Sequence, residues 1–334
     1  MTDIIIHISI FFVIIFLYIH LLQQFKLSDE MEIYESDYIN KDVFHETCLL
    51  KQPFLLNYQS VNPYFFHKLA TERKKLSKCA EPIMIKDIAD YYPIRQINAA
   101  TENDEGNADT DAEIKVEEGH KISVDAMSLS YSKALDLLLT KVGVFTEGNE
   151  EFIRETEYHN ICQDGFDEYL KPIMTINSSY DMIMGANGTT TPLRYHTNDI
   201  HCICLTRGKA SVKMTPYRNA KYLYPQTDYE HYEFLSVVNP WQPDEKYLKE
   251  MEKVKFLDFE IHSGYLLYIP AYWWYSIRFD SVGDSENDVD SEGLTEFVSV
   301  KYNPLMNTIA NLPSLMIHYL QKQNIHNIYK VMKQ

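Results

Sequence analysis

From Ile4 to Leu22 the chain reads IIIHISIFFVIIFLYIHLL, almost unbroken apolar sequence without a formal charge. A helix of that length spans roughly 28 Å, about one bilayer hydrocarbon core. A cleaved signal peptide would want a basic start and small residues at the cut. Met1-Thr2-Asp3 before the run and Gln23-Gln24-Phe25-Lys26 after it supply neither. Residues 1–27 are therefore expected to form an uncleaved transmembrane anchor. Asp3 precedes the run and Lys26 follows it, so the positive-inside rule places the bulk of the chain on the cytoplasmic side.

Residues 28–100 mix short extended and helical patterns and read as the N-terminal α/β part of the same domain as the later strands, with strands at PFLLNY and Ile83–Ile88 and a helix over Pro63–Lys78. Residues 121–176 read as helical, with amphipathic stretches at Ala126–Thr140 and Glu150–Glu157. From Tyr180 onward the pattern changes to short strands parted by turn signals at Ala186-Asn187-Gly188, Thr206-Arg207-Gly208 and Ser263-Gly264. Leu266–Ile277 is strongly β-prone. Strands at this spacing predict a sandwich or barrel over residues 177–303. Residues 304–334 return to helix, divided at Pro313, which suits a first helical turn. There Leu312, Leu315, Met316, Tyr319 and Leu320 recur at three- and four-residue spacing, and Ile325, Ile328 and Met332 extend the stripe. The stripe is too interrupted for a second membrane span. It is expected to make a protein contact, with its own barrel or with a second copy, while Gln321, Lys322, Gln323, Asn324 and His326 keep one face wet.

Composition narrows the functional classes. With 334 residues, 45% of them hydrophobic, the chain can bury a sizeable core. A net charge of -17 lacks the basic footprint that nucleic-acid binding needs. Most of that charge lies in Thr101–His120 and Ser281–Gly293, which read as solvated, mobile loops. Asp284–Asp290 lacks the spacing of an EF-hand, so no calcium site is expected there. The cysteines Cys48, Cys79, Cys162, Cys202 and Cys204 suggest no disulfide framework, and a reducing compartment fits them. Cys202 and Cys204 would share one face of a strand as core residues. The sequons at Asn177 and Asn187 matter only if the domain faces the other side of the membrane.

Three stretches carry the candidate chemistry. They are Thr191-Pro-Leu-Arg-Tyr-His-Thr-Asn-Asp, a strand-turn-strand segment over Cys202–Pro216, and Tyr268-Ile-Pro-Ala-Tyr-Trp-Trp-Tyr-Ser-Ile. In this order they resemble the JmjC and cupin-like hydroxylases, among them the asparaginyl hydroxylase acting on hypoxia-inducible factor. The family pattern is T-P-L-H-x-D, a strand ending in G-x-K, and Y-I-P-x-x-W-W-H. KQPFLLN resembles that family's early core strand, and TPLRYH, KYLYP and YIPAYWWYSI are similar to stretches in cupin-like proteins of large DNA viruses. The resemblance implies an all-β core, a double-stranded β-helix or cupin-like jelly roll, with flanking α-helices.

Active members of that family bind Fe(II) through two His and one carboxylate, leaving room for 2-oxoglutarate and oxygen. Carried over position by position, Arg194 stands for the first His, His196 for the carboxylate and Tyr275 for the second His. The cosubstrate-binding Lys maps onto Ala210, and Lys209, one residue away, turns to the other face of its strand. Thr191 matches a cosubstrate contact, and Trp273 is a further pocket-lining candidate. A guanidinium has no lone pair to offer a metal and does not deprotonate. At about 4 Å from a divalent ion it would cost on the order of 8 kcal/mol at an effective dielectric of about 20. No metal and no cofactor is therefore expected. Arg194 would supply the charge that the metal supplies elsewhere, in a pocket either packed shut or open to an anion. Fe(II) and 2-oxoglutarate belong to the alternative, an oxygenase with an unorthodox site. A second ligand set, His196, Asp199 and His201, needs a bend, since only Asp199 and His201 share strand parity. Trp273, Trp274 and Tyr275 would stack a substrate or pack the core. Lys213, Arg218 and Lys221 read as a solvated face rather than a phosphate site. The function expected is a membrane-anchored, catalytically inactive module with an assembly or interaction role in a viral particle or its membrane.

Overall fold

The structure, a computed structural model, describes residues 2–76, 79, 81–92, 126–280 and 293–332, with side chains up to residue 324. Thr101–His120, Ser281–Gly293 apart from its last residue, and the side chains of Ile325, Ile328 and Met332 lie outside the described residues. The chain opens with α1 (Thr2–Gln24), β1 (Tyr34–Glu35), α2 (Lys41–Cys48), β2 (Phe54–Asn57), α3 (Tyr58–Val61), α4 (Pro63–Leu76) and β3 (Pro82–Asp87). Next come β4 (Met127–Ser130), α5 (Tyr131–Thr140), β5 (Val144–Thr146), α6 (Glu150–Arg154) and α7 (Tyr158–Leu170). The strands β6 (Thr175–Ala186), β7 (Arg194–Tyr195), β8 (Ile200–Arg207), β9 (Lys209–Thr215), β10 (Pro225–Asp228) and β11 (Glu233–Ser236) follow. After α8 (Glu245–Met251), the last strands are β12 (Leu257–His262), β13 (Tyr265–Ile269), β14 (Trp274–Asp280) and β15 (Leu294–Pro304). The helices α9 (Leu305–Ala310) and α10 (Leu312–Met332) close the chain.

Among the described residues the strands form two sheets, ordered β1-β2-β13-β8-β15-β6-β5-β3-β4 and β10-β11-β7-β14-β9-β12. Their centres, β13-β8-β15-β6 and β7-β14-β9-β12, are the two four-stranded halves of the expected double-stranded β-helix. The larger sheet is covered on both faces, and its sequence shows how. Ile203 and Leu205, Leu267 and Ile269, and Ile183 and Phe297 join the core between the sheets, which Ala210, Val212, Met214, Ile277 and Phe279 complete from the smaller sheet. The alternate residues Met182, Met184, Cys202, Cys204, Tyr268, Val298 and Val300 pack outward against Phe65, Leu138, Phe166 and other helical side chains. The period-two alternation is thus apolar on both faces, as strands buried on both sides require. Cys202 and Cys204 are free, buried core residues of the outer layer. Gly208, at φ +86°, makes the tight link between β8 and β9, and a Cβ there would meet the Thr295 backbone at 3.0 Å.

Buried polar clasps fix the helical layer. Arg73 on α4 makes a bidentate pair with Glu296 on β15 at 2.7 and 2.8 Å, and the Tyr158 hydroxyl donates to the same carboxylate at 2.7 Å. Asp167 on α7 accepts from Tyr180 and Tyr302 at 2.5 and 2.7 Å.

One sequence expectation changes here. Ala126–Thr140 is not one helix: Met127–Ser130 pairs antiparallel with Pro82–Ile85 as an edge strand before α5 begins. Sheet pairing overrides the local helical pattern there. The strands β1 to β5 extend the larger sheet of the barrel. At the opposite end of the chain, α1 packs on α9. Only the last residues of α1, Leu21, Gln23 and Gln24, are half-buried, and Asp3 to His20 are exposed.

Candidate functional site

The barrel interior turns polar at the end where β7 and β14 meet. Arg194 on β7 lies directly opposite Tyr275 on β14, so two of the three positions expected from the motifs to stand for metal ligands face each other across adjacent strands. The Arg194 guanidinium lies 5.6 Å from the Tyr275 ring centroid. His196, just past β7, joins them, its ring 6.1 Å from that of Tyr275. His201, inward-facing by parity with Ile203 on β8, completes the cluster at 4.4 Å from His196 and 5.8 Å from Tyr275. Arg194, His196, His201 and Tyr275 are all buried.

Charge in this layer alternates. Arg194 Nη1 donates to Glu147 Oε2 at 2.7 Å, and Nη2 pairs with Oε1 of the same carboxylate. Lys86 on β3 bridges Glu147 at 3.2 Å and Glu233 on β11 at 2.7 Å. Arg194, Glu147, Lys86 and Glu233 therefore form a neutral quartet drawn from both sheets. Burial alone would raise the Glu147 carboxyl, but Arg194 and Lys86 outweigh it and hold it well below the usual carboxylate range. For Arg194 burial opposes the charge, and Glu147 overcomes it, so the guanidinium stays protonated. The histidines behave in the opposite way. Burial, with help from Lys301 and Arg194, pushes His196 down to about 3. Burial and the neighbouring His196 and Lys301 push His201 well below its ordinary value. Both rings are neutral at pH 7. His201 Nε2 meets Ser299 Oγ at 3.0 Å and the His196 ring interacts with the Ile269 backbone, while among the described residues His201 Nδ1 and Arg194 Nε lack a hydrogen-bond partner.

The remaining sequence candidates fall into place around this layer. The Thr191 hydroxyl accepts from Ile277 N–H at 2.9 Å and its carbonyl accepts from Ser276 Oγ at 2.6 Å, so Thr191 ties the segment before β7 to β14. Ala210 points into the core between the sheets, and Lys209 turns outward to Glu260 at 2.7 Å. Trp273 packs in the same core as Ala210, whereas Trp274 packs with Leu193, Leu223 and Val254 on the other side of its strand. Lys213, Arg218 and Lys221 do not share one site: Lys213 pairs with Asp258 at 2.8 Å, Arg218 with Asp29 at 3.9 Å, and Lys221 lies over Tyr222 at 4.8 Å. The ligand set His196, Asp199 and His201 is not assembled. Asp199 lies ahead of β8 and pairs with Lys51 at 2.6 Å, while the two histidines, which strand parity alone would separate, meet. Among the described residues, one group of three His, Cys, Asp or Glu has its ligand atoms close enough for a metal, Asp228, Glu230 and His231 on the β10–β11 turn.

Residues 144–305 match the family model of the cupin-like domain. The chain carries a cupin-like domain. It is also similar to the JmjC domain-containing protein D of Dictyostelium discoideum, 24% identical over 95 residues, or 28% of this chain. The matched part spans 21% of that relative's length. The match begins at β5, three elements before β6, and so takes in Glu147. Sequence reading missed Glu147, Lys86, Glu233 and His201's link to Ser299. Lys301 was within reach, since it shares strand parity with the inward Phe297 and Ser299. Glu147 had a fainter signal, a carboxylate set between the β-prone Val144–Thr146 and Gly148. The donor set at the family's metal position does not fit Fe(II). It holds a charged guanidinium already bonded to a carboxylate, a Tyr that ligates only as phenolate, and one imidazole.

Proposed function

We propose that this protein is a membrane-anchored, catalytically inactive cupin-like module with an assembly or interaction role. The observation that carries the reading is the buried Arg194–Glu147 pair, which puts a fixed positive charge where the family pattern has a metal-binding His. α1 supports the membrane part of the reading, being long and apolar enough to cross a bilayer and exposed along that length. The likeness of its motifs to cupin-like proteins of large DNA viruses supports a viral setting. The test is metal analysis of the purified full chain after anaerobic loading with Fe(II), together with succinate release from 2-oxoglutarate. No stoichiometric iron and no succinate are expected; finding both would overturn the proposal.

One observation favours a second reading, an oxygenase with a displaced ligand set. Among the described residues the Nδ1 of His201 is buried without a hydrogen-bond partner, and its ring lies 4.4 Å from that of His196. In that case iron binding would appear in the same assay and vanish in His196→Ala and His201→Ala.

The proposed orientation puts the domain in the cytoplasm, in line with five free cysteines. Asn187 is exposed, at the end of β6. Full-length protein made in eukaryotic cells is expected to carry no glycan at Asn177 or Asn187. A mobility shift removed by an endoglycosidase would reverse the orientation.

A further inference from the structure

The stripe on α10 faces away from the barrel. Leu312, Met316, Tyr319 and Leu320 stand at i, i+4, i+7 and i+8 and are exposed, Met316 at 57%. The opposite face of α10 holds the contact with the barrel, through His318, whose Nδ1 meets the Tyr229 carbonyl at 2.6 Å. A second exposed apolar edge adjoins these helices. Ile173, Met174 and Ile176 lead into β6, and the Leu305 N–H at the start of α9 donates to the Met174 carbonyl at 3.0 Å. Ile173 is 86% exposed. The end of α1 packs on the same α9.

We propose that this end of the barrel rests in the headgroup and acyl boundary of the bilayer, held by the α10 stripe and the Ile173–Ile176 edge. The inference rests on the reading of α1 as a membrane span. A helix is about 10 Å across, so whatever packs beside the last turn of α1 lies about that far from where the chain enters the hydrocarbon. A surface there meets lipid as soon as α1 inserts. An outward apolar stripe on a helix lying in the boundary is buried about 5–10 Å deep, with the polar face kept wet or on the protein. The far end of the barrel is well separated: β6 alone runs roughly 36 Å from Thr175 to Ala186. Val142, near Gly188 just beyond that end, is 66% exposed and serves as a reference.

The test uses the full chain with Cys79→Ser, reconstituted in vesicles of phosphatidylcholine and phosphatidylglycerol. Single nitroxides are placed at Ile173→Cys, Met316→Cys, Val142→Cys and, within α1, Ile14→Cys. Collision rates with oxygen and with a water-soluble nickel chelate are then read. Nickel accessibility at the first two sites is expected to fall about five-fold or more below that at Val142, as boundary burial requires. If Ile14 is lipid-like while Ile173 and Met316 match Val142, the rim proposal is overturned and the anchor stands. If Ile14 is as nickel-accessible as Val142, the anchor reading falls and the rim proposal falls with it. Spin–spin broadening at Met316 that disappears on dilution with unlabelled chain would assign the stripe to a second copy instead of lipid.

Discussion

Arg194→Ala is expected to destabilise the domain by about 3 kcal/mol, toward the lower end of the range for breaking a buried ion pair. The reason is what stays behind. Glu147 is buried, and without the guanidinium its direct partner among the described residues is Lys86 at 3.2 Å, with Lys301 acting on it from farther off. Lys86 is shared with Glu233, so it compensates Glu147 in part and limits the loss. Removing both partners has a different outcome. Arg194→Met combined with Glu147→Leu leaves no orphaned charge, and Lys86 keeps Glu233, so this double variant is expected to melt close to the parent. Thermal unfolding of the full chain in detergent micelles, at one pH and one salt concentration, compares the three proteins. A melting point for Arg194→Ala equal to that of the parent would remove the ion pair from any account of this site.

Acidification is expected to weaken the fold well before the carboxylates titrate. His196 and His201 are buried and neutral, with His196 pushed down to about 3. In the unfolded chain each takes a proton near pH 6.5. Below that pH the unfolded state binds more protons than the folded one. The stability these two residues permit is therefore complete above about pH 6.5 and is lost as the pH falls. Each contributes a slope of up to about 1.4 kcal/mol per pH unit. Glu147 adds to the loss only at lower pH, since its folded-state value is depressed from an ordinary carboxylate value. In the window from pH 6.5 to 5 these two histidines act together with His45, which burial also pushes down. Unfolding free energies measured across it should fall, and His196→Gln together with His201→Asn should flatten the slope. A parent protein whose stability is constant over that window would mean that the two rings accept protons in place.

Some features were written locally and were legible in the sequence. The continuous run from Ile4 to Leu22 marks α1 by length alone. The turn glycines Gly188, Gly208 and Gly264 sit at positive φ between or beside strands as the turn signals implied. Alternation along Cys202–Leu205 and Phe297–Tyr302 is a property of neighbouring residues on a pleated strand, so both faces of the larger sheet could be read from it. The chemistry of Arg194 is likewise intrinsic to the side chain. It excludes metal ligation wherever the residue is placed.

Pairings across the chain were decided only by tertiary structure. Arg194 finds Glu147, 47 residues away, because β5 extends the larger sheet and its following turn reaches the barrel mouth. His196 and His201 differ in parity, yet the bend between β7 and β8 brings their rings together. Met127–Ser130 became a strand because β3 offered it an edge. On α10 the spacing of Leu312, Met316, Tyr319 and Leu320 defines one face, but not what that face meets. The barrel took the other side through His318 and left the apolar one outward. Periodicity is set by bonds between neighbours along the chain. Which face is covered, and which charge meets which, depends on register between segments far apart in sequence, and no local pattern encodes that.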